Sequence, residues 1–300
     1  MTNGGGPSRV LVYSHSWLPG QIDGVAIRMM AHVNAMAKKG VKVMLVTPDF
    51  AIEGQLPKFD EIPNVEHRTL QTQRTPIYRK NMCMKMSFEN LRRLSRAIQE
   101  FQPDLVHGTQ EASLQVLVTA CLMSDVPLII SLHTDVAQIA ARDEGFSTLG
   151  GAIGRLHSKS AVWFTHWGYR NWALSGANYF PVSKQSMVIL RNAGVPEQRV
   201  APVIWGPMVD REQFRIDLPE DQVAETRHRL TFGKEDAFLM VYVGRVTAEK
   251  DIQFLVDALK RTPKHVILAL IGPGSMAEEL KQLHGKENRL QLASPCNEIT

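Results

Sequence analysis

Short unbroken apolar runs alternate along this chain with longer segments whose apolar residues recur every three or four positions. Runs bounded by turn formers read as strands buried on both faces, at residues 9–14, 41–47, 104–107, 126–132, 178–182, 238–243 and 265–271. Weaker runs stand at 65–70 and 289–292. Between them the helical period predicts helices over 25–39, 87–101, 112–123, 183–193, 221–230, 250–261 and 275–284. A further stretch, 149–174, is helix-prone and carries Trp163, Trp167 and Trp172, which read as core packing. The punctuation agrees: Gly40 and Gly194 stand where helices stop. Ser87 and Ser183 stand where an N-cap hydroxyl belongs, and Pro103 closes the helix before it.

Strand, helix, strand is the βαβ unit of a parallel sheet. The expectation is an α/β chain with two Rossmann-like, doubly wound domains, the first over residues 9–205 and the second over 206–300. Gly206-Pro207 is a turn or hinge, and 208–219 the linker into the second domain. The second domain has only about 90 residues, where two βαβαβ halves want roughly 150. It is therefore expected to be truncated, with an incomplete ligand site and an exposed sheet edge.

Composition adds limits. Of 300 residues, 44% are apolar and 21% charged, as in an ordinary globular chain. No apolar run is long enough to span a bilayer, and the Gly-rich residues 1–8 lack the apolar core of a secretory signal. Cys83, Cys121 and Cys296 are scattered, so neither a disulfide frame nor a metal site is expected. Cytosol is the default compartment. The net charge of +4 permits an anionic partner without naming one. That charge is concentrated between Arg68 and Arg96, where Arg79, Lys80, Lys85, Arg92 and Arg93 are interleaved with Met82, Met84, Met86 and Phe88. Such a segment can face an anionic membrane, or be a solvated helix face and loop.

Candidate chemistry falls at the carboxyl ends of the predicted strands, where open parallel sheets bind ligands. Arg245 and Lys250 follow Gly244 there, beside a predicted helix amino terminus whose N–H groups and partial positive charge favour an anion. Two fixed cations suit a diphosphate; the alternative is a solvated turn whose Arg245 pairs with Glu249. Gly24 stands just before the first helix, where the missing side chain lets a ligand reach backbone N–H groups. His133 ends a strand and is either structural or ligand-facing. The first loop lacks the G-x-G-x-x-G pattern, which argues against a nicotinamide-dependent oxidoreductase.

Taken together, these residues resemble the family-4 glycosyltransferases, which have the two-Rossmann-domain GT-B architecture. The resemblance runs from about residue 9 to 292 and rests on ordered motifs. In the first domain these are Asp23-Gly24-Val25-Ala26, Gln102-Pro103-Asp104-Leu105-Val106-His107, Ser131-Leu132-His133-Thr134-Asp135 and Pro181-Val182-Ser183-Lys184. Val209-Asp210-Arg211-Glu212-Gln213-Phe214, the stretch from Tyr242 to Lys250, and Leu270-Ile271-Gly272-Pro273-Gly274-Ser275 complete the set. Within the family the spacing is most similar to that of enzymes transferring sulfoquinovose to diacylglycerol, then to lipid mannosyltransferases.

The resemblance implies metal-independent, configuration-retaining transfer of a sugar to a lipid. No cofactor is implied, only a nucleotide-sugar co-substrate, UDP-linked rather than GDP-linked. Arg245 and Lys250 match the pair that neutralises the departing diphosphate. Gly24 matches the glycine that approaches the donor phosphates, and His133 the histidine near the transferred sugar. Gly272 and Gly274 match a glycine turn beside the nucleotide. The acceptor falls to the first domain, with the basic stretch as its membrane-facing surface at a cytoplasmic or plastid membrane. No nucleic acid is expected as a partner. Members of the family continue with more βα units and an acidic segment that holds the sugar and ribose, which the last residues here do not match. The alternative is therefore an inactive remnant acting at most as a binding module.

Overall fold

The computed structural model describes residues 6–21, 23–51, 58–59, 61–74, 82–111, 113–133, 152–205, 215–284 and 288–293. The chain divides into two compact units, Met1–Asp210 and Arg211–Thr300.

The first unit is built on a sheet of six parallel strands, β1 (Arg9–Tyr13), β2 (Lys42–Pro48), β3 (Val65–Leu70), β6 (Leu105–Thr109), β7 (Leu128–Leu132) and β8 (Asn178–Pro181). Their order is β3-β2-β1-β6-β7-β8, so the winding reverses between β1 and β6, the switch point at which such sheets bind ligands. Alternation along β1 explains why a continuous apolar run is needed. Val10 and Val12 point to the side of α1 (Gly24–Lys38), and Leu11 and Tyr13 to the opposite side. The second side is covered by α2 (Phe88–Phe101), α3 (Gln115–Met123), α4 (Ala152–Leu174) and α5 (Lys184–Asn192), which share one core with Leu11 and Tyr13. The caps lie where expected: Ser87 Oγ accepts from Asn90 N–H, and Ser183 Oγ from Ser186 N–H. Gly40 and Gly194, both at positive φ, end α1 and α5.

A two-stranded antiparallel ribbon, β4 (Thr72–Arg74) with β5 (Met82–Met84), stands outside the main sheet. Its three-residue strands are too short for a period to show in the sequence. The core assignment of the tryptophans holds only for Trp172, which is buried; Trp163 is 65% exposed and Trp167 49%.

The second unit contains α6 (Glu220–Leu230), β9 (Phe238–Val243), α7 (Ile252–Lys260), β10 (Val266–Ile271), α8 (Ala277–His284) and β11 (Leu290–Ala293). Its parallel strands lie in the order β11-β10-β9. One core joins Val246, Ile252, Val256, Leu259, Leu268, Leu270, Leu280 and Leu290, with Met240 and Tyr242 packed against it. β9 has the bounds its pattern predicts, but it is not the buried strand expected. It is an edge strand, and α7 and α8 join the core on one face of the sheet. On the other face Val241 is exposed and Val243 is 74% exposed, while Ala269, paired with Val241, is buried. The helix expected to open at Lys250 begins two residues later. Ala248–Lys250 form a 3-10 turn, and Asp251 takes a left-handed φ of 52° before α7 starts.

Candidate functional site

In the first unit the chemistry gathers at the carboxyl ends of β1, β6 and β7. The loop after β1 is tied to β6 by His15, whose backbone N–H donates to Thr109 Oγ1 at 2.9 Å and whose Nδ1 lies 2.8 Å from the same oxygen. The loop then enters α1 through Asp23, whose Oδ1 accepts from Val25 N–H at 2.8 Å and Ala26 N–H at 2.9 Å. Burial works to raise the Asp23 pKa, but hydrogen bonds from Ala26, Gln21 and Ser16 outweigh it and hold the carboxylate low. This corrects the expectation of N–H groups open to a ligand around Gly24, since Asp23 already occupies two of them. Gly24 itself is exposed, and an added Cβ would meet open space.

Gly24, Arg28 and His32 follow one another at spacing four, so they share a face of α1. Arg28 lies over the Trp205 ring, 5.4 Å from its centre. Trp205 belongs to a segment that runs beside β8, joined through Ala201 N–H to Tyr179 O and Trp205 N–H to Pro181 O, each 2.8 Å. Three imidazoles meet its indole edge-on: His32 at 5.0 Å, His107 at 5.2 Å and His133 at 5.5 Å between ring centres. His133, at the end of β7, has its Nε2 2.9 Å from Ser131 Oγ.

All of these rings are held neutral. Burial pushes His133 down to about 3, aided by the charges of His15 and Arg28. His107 also falls to about 3, from burial and then from His32 and His133. Burial lowers His15 and His32 as well. His107 Nε2 is buried with no hydrogen-bond partner among the described residues. A neutral imidazole can donate at one nitrogen and accept at the other, the capacity a hydroxyl-bearing ligand needs. Beneath this edge, on the other face of the sheet, Glu111 is buried. Its Oε1 accepts from Tyr13 O–H and from Ser113 Oγ at 2.9 Å, its Oε2 has no hydrogen-bond partner among the described residues, and burial raises it to about 7.

In the second unit Arg245 and Lys250 are both exposed on the turn between β9 and α7. Between them, Thr247 Oγ1 is buried with no hydrogen-bond partner among the described residues. This turn is locked against the one that follows β10. Gly244 N–H donates to Ile271 O at 2.9 Å, and Val246 N–H to Pro273 O at 2.8 Å. An added Cβ at Gly272 would fall on the Gly244 carbonyl, and one at Gly274 on the Val246 carbonyl. Both glycines are thus required by backbone packed on backbone, whatever ligand the turn serves.

Of the basic stretch, Lys85 is exposed, while Arg92 and Arg93 both pair with Glu89, at 3.0 and 2.8 Å. Arg79 and Lys80 lie outside the described residues. Among the described residues, no group of three or more His, Cys, Asp or Glu could hold a metal ion, and no helix is long and apolar enough to cross a membrane. The sequence reading missed Arg28, His32, His107, Glu111 and Trp205. Arg28 and His32 were legible as helix positions stepping on from Gly24 by fours.

A family model described as Glycosyltransferase Family 4 matches residues 22–212. Sulfoquinovosyl transferase SQD2 of Arabidopsis thaliana is 24% identical over 281 residues, which are 92% of this chain and 49% of that protein. The chain thus spans about half the length of this curated relative. Among solved structures, the sucrose-phosphate synthase of Thermosynechococcus elongatus superposes with a TM-score of 0.66 at 17% identity, covering 96% of this chain and 71% of that one. Anabaena HepE, solved in complex with UDP-glucose, gives 0.60 at 17% identity, covering 96% and 69%. The likeness at these identities is one of fold, and it is the GT-B fold class expected.

Proposed function

The chain belongs to glycosyltransferase family 4, and on that premise we propose that it transfers a sugar, with retention of configuration, from a UDP-linked donor to a lipid acceptor. Sulfoquinovose and diacylglycerol are the favoured pair, an assignment supported by the likeness to SQD2. The second domain, expected over residues 206–300, takes the donor nucleotide, and the first, expected over 9–205, serves the acceptor.

The observation that carries the donor assignment is the turn after β9. Two exposed cations, Arg245 and Lys250, and the Thr247 hydroxyl, which has no hydrogen-bond partner among the described residues, occur within six residues whose backbone is fixed by the Gly272-Pro273-Gly274 turn. Charge grows on the diphosphate as the sugar departs, and fixed cations stabilise that charge with little reorganisation. Gly272 and Gly274 act here by holding the turn in place. In the first unit Gly24 leaves room over the start of α1, and His133 offers a neutral ring near the transferred sugar. Lys85, Arg92 and Arg93, with Arg79 and Lys80, would meet anionic headgroups at a membrane that supplies the lipid.

Melting followed by circular dichroism, with UDP, UDP-glucose and GDP-mannose, tests the donor half. A ligand that binds only the folded state raises the melting temperature. The expected result is a rise with the uridine nucleotides. Arg245→Ala should weaken their binding by roughly 10- to 100-fold, as loss of a charged hydrogen bond does. A cooperatively melting protein that no nucleotide shifts would instead be an inactive relative.

A further inference from the structure

α4 is longer than the sheet it packs against. Its 23 residues extend about 34 Å at the helical rise, whereas β7 and β8, of five and four residues, span only about 13–17 Å. The end of the helix is well anchored. Tyr169, Trp172 and Ala173 are in the core, Trp172 Nε1–H donates to Gln115 on α3 at 2.8 Å, and Tyr179 O–H donates to Tyr169 O at 2.9 Å. Before Gly168 the situation reverses: none of the described side chains from Lys159 to Trp167 is buried. Lys159, Trp163, Trp167, Arg170 and Leu174 follow one another at spacings of four, four, three and four, so they form one stripe along the outer face. Every one of them is exposed, and Phe164, 62% exposed, stacks on Trp167 with ring centres 5.8 Å apart.

We infer that this stripe docks on an anionic phospholipid bilayer, with Trp163, Phe164 and Trp167 entering the boundary between headgroups and acyl chains. The inference extends the lipid-acceptor reading and rests on it. Tryptophan and phenylalanine flanked by cations make up the side-chain set of a helix lying in that boundary. Charge selects the partner. No Asp or Glu occurs between Glu144 and Glu197, while Arg155, Lys159, Arg170, Lys184 and Arg191 all do. A second copy of this chain laid on the same face would set Lys159 and Arg170 against their own counterparts, which like charge opposes. The helices α2, α3 and α4 also pack in that order on one side of the sheet. Lys85, Met86 and Phe88, at the start of α2, are exposed too. The aromatic stripe supplies the insertion that a basic segment alone lacks.

The test uses the full chain with vesicles of phosphatidylcholine, with and without phosphatidylglycerol, and with brominated phosphatidylcholine as a quencher. Flotation with the anionic vesicles is expected, weakened by salt, together with quenching of tryptophan fluorescence. Joint substitution Trp163→Ser and Trp167→Ser should lower vesicle binding by about tenfold or more and remove the quenching. Its melting temperature and its response to UDP should match the parent, so a failed donor site is told apart from a failed membrane surface. Vesicle binding left intact in the double variant overturns the inference. So does flotation without quenching. A dimer that the double variant dissolves, with no vesicle binding by the parent, assigns the stripe to a second copy instead.

Discussion

Glu111 is a carboxyl with no cationic partner among the described residues, bonded to Tyr13 and Ser113 and raised by burial from its ordinary 4.5 to about 7. The folded state therefore holds this proton more tightly than the unfolded chain does. Its contribution to stability is fully present below pH 4.5 and is lost as pH rises through about 7. His107 and His133 act in the other sense. With folded values near 3 against 6.5, they cost stability as pH falls from 6.5 towards 3. Glu111→Gln keeps the neutral shape and removes the titration. The variant should gain melting temperature relative to the parent as pH is raised from 5 to 8, measured by circular dichroism. A pH-independent difference would show that Glu111 is not the titrating group. The sequence could not announce this residue, because what sets Glu111 apart is Tyr13, 98 positions earlier. His133 was legible as the last residue of a strand. His107, within a strand, was not, because its ring contacts come from His32 and Trp205 in distant segments.

At the scale of elements, local punctuation carried far. Ser87, Ser183, Gly40 and Gly194 end or begin helices through bonds made within a few residues, and short-range chemistry of that kind is readable without a fold. What misled was burial, which depends on the neighbours an element finds. A buried apolar strand was expected at β9 and an exposed-faced edge strand was found; of the three tryptophans of α4 only Trp172 reached the core, and Trp163 and Trp167 are exposed. The paired turns of the second unit allow a sharp test. Gly274→Ala drives a methyl group into the Val246 carbonyl and should cost about 3 kcal/mol of that unit's stability. It should also weaken UDP binding without touching a cation, because the Arg245–Lys250 turn must shift. Denaturant unfolding and calorimetric titration would measure the two losses, and wild-type values of both would show that the turns are not locked.

For the whole molecule, the strand-and-helix alternation made the α/β class legible, since each run is buried or periodic on its own terms. Among the described residues unit 1 holds two cores, one of 28 buried residues and one of nine on opposite sides of its sheet, whereas unit 2 relies on a single core of nine. Small cores leave less margin over chain entropy. Scanning calorimetry should thus resolve two transitions, and Gly274→Ala should move only one of them. A single transition that shifts as a whole would mean that the units unfold together. The wet side of β9 has a practical side. Reporter dyes that brighten on apolar surfaces will find seats on the native protein along Val241 and Val243, and again on the aromatic face of α4. Their signal starts high and can fall on heating, so a dye-based screen would score a well-folded preparation as a spoiled one.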